Sequence, residues 1–364
     1  MISRTISYST SDQDDDCFIT VRYAEAIFYL RWSPQDLDSA PELLQDYLAH
    51  LEELKNEDDD HSSSDRLILP FEALMDQLAP ASKQGPSSLH DYLYPQWFLL
   101  KATVNADRRT ILPVHIKEED SPFCQPGLAL YSKQICSLDL DKWVPRLFSS
   151  HEIELPADAE KHPLLHRPTK VITKESQTEY FFKGLGPGFE GTINELVALR
   201  TIDEAAECGT LASDARFCRL YGLVVDTVGP RRFDKRVVGM LLNYIKPKRP
   251  GILGTLQYVA YEEHSRKNLH RWANDLNGIL GALHRAGCIW GDAKPENVLV
   301  DHNDNVWIVD FGGGYTPGWV DEEQQGTQRG DLAAMEKIRQ WLEQRGARRG
   351  QVDLIEQGST ITLS

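Results

Sequence analysis

Between Asp292 and Asp310 the chain reads DAKPENVLVDHNDNVWIVD, which sets two carboxylates, an amine and a carboxamide at fixed intervals: Asp292, Lys294, Asn297 and Asp310. Carboxylate and amide oxygens are hard ligands. Mg²⁺ is commonly held by one or two of them, with water and phosphate supplying the rest. Taken singly, each of these residue types is also what a solvated loop carries. The elements around them narrow the choice. Val298-Leu299-Val300 and Val306-Trp307-Ile308-Val309 are short apolar, β-branched runs joined by Asp301-His302-Asn303-Asp304-Asn305. Runs bounded by such turn formers predict a β-hairpin. A hairpin would hold Asn297 at one end with Asp310 beside it, two oxygen ligands facing one point.

The longer stretch HRAGCIWGDAKPENVLVDHNDNVWIVDFG, residues 284–312, resembles the catalytic and metal-binding segments of the protein-kinase superfamily. GDAKPENVLV stands where that family writes H-R-D-L-K-P-E-N-V-L-L, and Asp310-Phe311-Gly312 is its D-F-G. The interval from Asn297 to Asp310 matches as well. The resemblance implies ATP and Mg²⁺ as cofactors. Asp292 would accept the proton of an attacking hydroxyl, Lys294 would steady the transferring phosphoryl group, and Asn297 and Asp310 would bind the metal. Two departures stand out. The family's H-R-D is Trp290-Gly291-Asp292 here, so the arginine that would hold a phosphorylated activation loop is missing and activation by that route is not expected. No A-P-E motif follows, and the chain runs only to Ser364. That length is similar to the minimal large lobes of atypical and small-molecule kinases.

Upstream, Thr169–Ile172 and Glu179–Lys183 read as strands around a polar turn. Phe181-Phe182-Lys183 stands where the family writes V-A-I-K, which implies that Lys183 pairs the nucleotide phosphates. A lysine closing a strand is also a common solvated edge residue. Ile193, Leu196, Val197, Leu199 and Ile202 predict a helix over Thr192–Ala206. Glu195 in its first turn is where the family's partner for the lysine would come from, and equally where the helix macrodipole favours a carboxylate. GPGFEG, residues 186–191, is formally G-x-G-x-x-G, but no acidic residue closes a strand about 20 positions on, as a dinucleotide site requires. Arg167–Phe182 contains no glycine, so the family's phosphate-covering loop is missing there. Val237–Ile245 predicts a strand leading to an interlobe hinge. The resemblance would place Leu242 against adenine and the backbone of Asn243 to Ile245 on its polar edge, in an apolar slot suited to a flat ligand.

Leu269, Trp272, Ala273, Leu276, Ile279, Leu280 and Leu283 give the clearest amphipathic stripe in the chain, with Gly287 placed to end the helix. A further helix is predicted after Gly330-Asp331. Asp331 reads either as its N-cap or, by resemblance, as the aspartate that braces the catalytic loop. In the first third, Phe18–Trp32 predicts a strand or hairpin, Pro41–Lys55 a helix, Asn56–Asp65 a linker and Leu67–Leu78 a second helix. Trp97–Val104 and Ile111–Ile116 predict another hairpin, and Leu128–Cys136 a further strand.

The sequence has 364 residues, 41% of them hydrophobic, and a net charge of -16. The charge argues against a nucleic-acid partner, since phosphate binding needs a basic surface. Six cysteines without C-x-x-C spacing argue against zinc. With neither a signal peptide nor an 18-residue apolar run, a cytoplasmic or nuclear protein with no membrane partner is expected. These readings together predict an α+β, two-lobed, protein-kinase-like fold with a shortened C-terminal lobe over 141–364. Residues 1–140 would be an N-terminal accessory region, a possible partner-binding module. The implied function is phosphoryl transfer from ATP to a hydroxyl, with a Ser/Thr protein acceptor first and a small-molecule acceptor second. A catalytically inactive kinase-like scaffold is the reading from another class.

Overall fold

Cys17–Tyr23 and Ala26–Trp32 alternate apolar residues with period two, and in the computed structural model they pair as an antiparallel hairpin. The description covers residues 3–10, 14–56, 62–80, 87–116, 130–131, 146–156, 168–185, 189–212, 214–227, 235–311, 313 and 316–358. The chain is mixed α and β, in two compact units: residues 1–127 with 149–178, and residues 128–148 with 179–364. Residues 149–178 go with the first unit and residues 128–148 with the second. Leu147–Phe148 joins Leu220–Thr227 in the second unit, whereas Ile153–Glu154 pairs with Lys170–Thr173 in the first.

In the first unit β1 (Ser3–Thr10), β2 (Cys17–Tyr23), β3 (Ala26–Trp32), β4 (Gln96–Val104) and β5 (Ile111–Ile116) form one sheet in that order. Only the β3–β4 pairing is parallel. One sheet face, carrying Ile19, Val21, Phe28, Leu30 and Trp32, shares a core with Tyr47, Leu51 and Leu54 of α1 (Pro41–Lys55). Trp32 stacks on Tyr47 with ring centroids 5.3 Å apart. The expected helix over Leu67–Leu78 is broken into α2 (Ser62–Ile68), a 3₁₀ turn at Leu69–Phe71 and α3 (Glu72–Leu78). Pro70 has no N–H for a continuous ladder, which accounts for the break. The expected linker Asn56–Asp65 is shortened accordingly, because α2 begins at Ser62; residues 57–61 lie outside the description.

The second unit has β6 (Leu130–Tyr131), β7 (Leu147–Phe148), β8 (Glu179–Gly184), β9 (Leu220–Thr227) and β10 (Lys235–Asn243). They run in the order β7-β9-β10-β8, with β6 on β10. Of the strand expected over Leu128–Cys136, only Leu130–Tyr131 lies within the description. It pairs with Arg236 and Val237 rather than with the β4–β5 hairpin. Packed into one core with this sheet are α4 (Phe189–Glu207), α5 (Leu269–Arg285) and α6 (Gln328–Gly358), together with the hairpin of β11 (Val298–Val300) and β12 (Val306–Ile308).

All seven stripe residues of α5 are buried. Gly287, at φ 78°, ends the helix as expected. Its N–H bonds His284 O at 3.0 Å and the Cys288 N–H bonds Leu283 O at 3.0 Å, the paired bonds of a glycine-terminated helix end. No helix among the described residues is long and apolar enough to cross a membrane. Gly186–Gly188, Gly312, Gly314, Tyr315, Cys124 and Cys136 lie outside the description.

Candidate active site

The predicted hairpin forms with Val298 opposite Ile308 and Val300 opposite Val306. Its turn is a satisfied unit. The Asp301 carboxylate accepts from Asn303 N, Asn305 N and Trp307 Nε1, at 2.8, 2.8 and 2.9 Å. Helix α5 pins the turn from the side, as Trp272 Nε1 and Arg271 Nη2 donate to Asp304 O at 2.7 and 2.6 Å. At the open end the Val309 N–H bonds Asn297 O at 3.0 Å. Two residues whose chemistry pointed to one metal are thereby brought side by side. Asp310 follows at φ 62°, a conformation a non-glycine residue adopts only when its surroundings hold it there.

Asp292 and its neighbours form one hydrogen-bonded group. Asn297 Nδ2 donates to the Asp292 carbonyl and to Asp292 Oδ2, both at 2.9 Å. Lys294 Nζ lies 2.6 Å from Asp292 Oδ2. The Thr316 hydroxyl accepts from Lys294 Nζ at 2.8 Å and donates to Asp292 Oδ1 at 3.0 Å. With its amide nitrogen engaged, Asn297 keeps its carbonyl oxygen as the atom a hard cation would use.

The loop is fixed from below by Asp331, which is 1% exposed. Its carboxylate accepts from the backbone N–H groups of Trp290 and Gly291, both at 2.8 Å. His284 at the end of α5 adds its Nε2 at 2.9 Å. Between the two readings of Asp331, the brace is the one found. α6 starts earlier, at Gln328, so Asp331 is not its N-cap. Trp290 is fully buried and donates Nε1–H to Val309 O at 3.1 Å, a packing role tied to the hairpin.

Lys183 on β8 and Glu195 on α4 also come together. Lys183 Nζ lies 2.9 and 2.8 Å from the two Glu195 oxygens and 2.9 Å from Asp310 Oδ1. Burial works against the charge on Lys183, yet the two carboxylates outweigh it and hold its pKa above the usual lysine range. Burial likewise pushes the Glu195 carboxyl up, while Lys183 and the Phe311 N–H pull it back. Burial outweighs these partners, and the Glu195 carboxyl stays above its usual range.

A cavity of about 260 Å³ joins these groups, lined by Lys183, Glu195, Asn297 and Asp310 on its polar side. Leu242, Ile245, Leu299 and Val309 give its apolar side, and Asn243 and Glu296 also reach it. Leu242, Asn243 and Ile245, the residues expected to face adenine, all line this cavity. Asn243 departs in one respect. Its N–H bonds Arg219 O at 3.1 Å and its Oδ1 accepts from Arg219 N at 2.7 Å, so that N–H is spent within the sheet.

Cys218 lines the same cavity, and burial raises its thiol pKa to about 12. It is an inert wall at neutral pH. Among the described residues no group of three or more His, Cys, Asp or Glu side chains could cage a metal. The donor set is one amide oxygen and one carboxylate beside a cavity, which fits an ion that draws its other ligands from phosphate and water.

Thr316, His284 and Cys218 are the site residues that motif reading missed. Thr316 lies in a Thr-Pro-Gly stretch with no motif of its own, and the other two, near a helix end and just before a strand, carry none either. No protein-family profile matches the chain, and no curated protein matches it.

Proposed function

We propose that the protein is an ATP- and Mg²⁺-dependent phosphotransferase of protein-kinase-like, two-lobed architecture, acting on a hydroxyl. The observation that carries this reading is convergence: Lys183, Glu195, Asn297 and Asp310 line one cavity, and Asn297 links it to the Asp292–Lys294 pair. The β8–β10 sheet with α4 would be the small lobe, and α5, α6 and the β11–β12 hairpin the short large lobe. Leu242 and Ile245 would face the flat base, and Lys183 would bind phosphate oxygens while Glu195 fixes its position. Asn297 and Asp310 would hold Mg²⁺, which when bound neutralises charge on the phosphates. Asp292 would orient the acceptor hydroxyl and take its proton as the oxygen–phosphorus bond forms. Lys294 would face the charge carried by the transferring group. Such chemistry rests on positioning and electrostatics, both of which these contacts supply.

A non-catalytic nucleotide-binding role is the second reading, motivated by the absence of glycine from Arg167–Phe182. The deciding experiment follows Mg²⁺-dependent binding and turnover of radiolabelled ATP by wild type, Asp292→Ala and Asp310→Ala. Turnover in wild type that both substitutions remove supports the enzyme. Binding with no turnover, across peptide and hydroxylated-metabolite acceptors, supports the second reading. Loss of both binding and turnover in wild type overturns the nucleotide site itself.

A further inference from the structure

Phe181 sets an aromatic ring in the wall of the candidate nucleotide cavity. It lies on β8 two residues before Lys183. Alternate residues of a strand share a face, so ring and ammonium turn to the same space. Phe182, between them, is buried on the other face, where a Cβ on Gly239 would lie 2.2 Å from its ring. V-A-I-K carries alanine where this chain carries Phe181. Across the sheet Phe181 is paired with Leu242, and Leu299 and Val309 line the same cavity. These four side chains make an apolar slot with one aromatic wall. Polar groups that could read a base edge are few. Lys183, Glu195 and Asp310 are joined in one ion-pair group, and Glu296 shares the 3₁₀ turn of Asn297. Asn243 spends both its N–H and its Oδ1 on the Arg219 backbone, at 3.1 and 2.7 Å. A site that hydrogen-bonds its substrate rejects analogues lacking the matching groups by orders of magnitude, whereas apolar contact discriminates weakly. An aromatic ring accepts any base, because every base has a π-face.

We propose that Phe181 makes this cavity a stacking site that takes purine nucleoside triphosphates as a class, GTP as readily as ATP. The inference rests on the nucleotide site of the phosphotransferase reading and names the donor class that site accepts. The base lies with its face against the Phe181 ring, and its triphosphate reaches Lys183 along the same strand face. Two fused rings cover more of Phe181 than one, which sets purines above pyrimidines. Affinity for the base is carried by stacking and buried area. The base edge, where adenine and guanine differ, contributes little.

The test is calorimetric titration of the full-length protein, with Mg²⁺, using the non-hydrolysable β,γ-imido analogues of ATP, GTP and UTP. Wild type should bind the two purine analogues with Kd values within about fivefold of each other, and the uracil analogue about tenfold more weakly. Phe181→Leu keeps an apolar side chain and removes the π-face. It should weaken both purine analogues by about tenfold, the scale of one base–aromatic stack. Phe181→Trp should retain both. Urea unfolding of each variant confirms the fold, and the wild-type comparison needs no variant at all. A larger preference for either purine overturns the inference, as does a uracil analogue bound as tightly as the purines. Binding by folded Phe181→Leu that matches wild type removes Phe181 from the base site. Binding confined to the adenine analogue overturns this inference alone and leaves the phosphotransferase reading standing. No binding of any of the three by wild type overturns both.

Discussion

Lys183 carries two carboxylates at once, and that makes it the residue on which the site's electrostatics turn. The Glu195 side chain is 3% exposed and the Lys183 side chain 33%. Removing the lysine leaves a buried anion without its partner, the costly way to break an ion pair. Lys183→Met is therefore expected to destabilise the protein by about 2 kcal/mol in urea unfolding, after allowing for solvent screening of the partly exposed lysine. Adding Glu195→Gln should recover part of that loss, and strictly additive costs would show that the pair is not energetically coupled. Asp310 is different, because its side chain is 46% exposed toward the cavity. Asp310→Ala should leave the unfolding midpoint nearly unchanged while lowering nucleotide turnover by about 100-fold or more. Full activity in that variant would remove Asp310 from the mechanism.

At the scale of elements, the β11–β12 hairpin is positioned from its turn. Burial alone would raise the Asp301 pKa, but hydrogen bonds from Trp307, Asn305 and Asn303 bring it below the usual carboxylate range. The stabilisation is present above the ordinary aspartate pKa and is lost as pH falls through the lowered one. Asp301→Ala orphans several donors and should cost about 2 kcal/mol at pH 7. The difference from wild type should shrink on acidification; a gap that stays constant with pH would contradict the charged role of Asp301.

The loop that carries Gly291 has its own dependence on backbone geometry. Gly291 sits at φ 85°, and a Cβ there would lie 3.2 Å from Gly313 Cα. An arginine at this place would therefore meet both backbone strain and the Gly313 backbone. Gly291→Arg is expected to destabilise by about 1–2 kcal/mol and to lower activity rather than add regulation. A stable, fully active variant would show that the backbone at Gly313 yields.

For the molecule as a whole, one half-buried carboxyl works against stability at neutral pH. Burial in α4 raises the Asp203 pKa from 3.8 to about 6, with Arg219 opposing and Glu207 adding to it. Between those values the native state binds more protons than the unfolded chain, so stability falls as pH rises through the window. Asp203→Asn should thus raise the unfolding free energy by about 1 kcal/mol at pH 7, a figure reduced for solvent screening. The advantage should vanish below about pH 4, and a benefit that persists there would assign it to packing instead. The net charge of -16 adds mutual repulsion at neutral pH, which added salt should relieve.

Local chemistry made part of this protein legible before any fold was known. The hairpin, its Asp-rich turn, the seven-residue stripe of α5 and its closing glycine are all set by neighbours a few positions apart, where periodicity and turn propensity act directly. The resemblance of GDAKPENVLV and D-F-G depends on the same short range. Tertiary structure alone decided which distant groups meet. Lys183 and Asp310 are 127 positions apart, and only the packing of β8, α4 and the hairpin into one core closes that gap. The same holds for Asp331 beneath Gly291 and for Thr316 on Asp292. The place of Leu147–Phe148 beside Leu220–Thr227 was invisible for a related reason. A two-residue strand such as Leu147–Phe148 carries too little pattern to announce its partner, and its pairing follows from which sheet edge lies within reach once the core has formed.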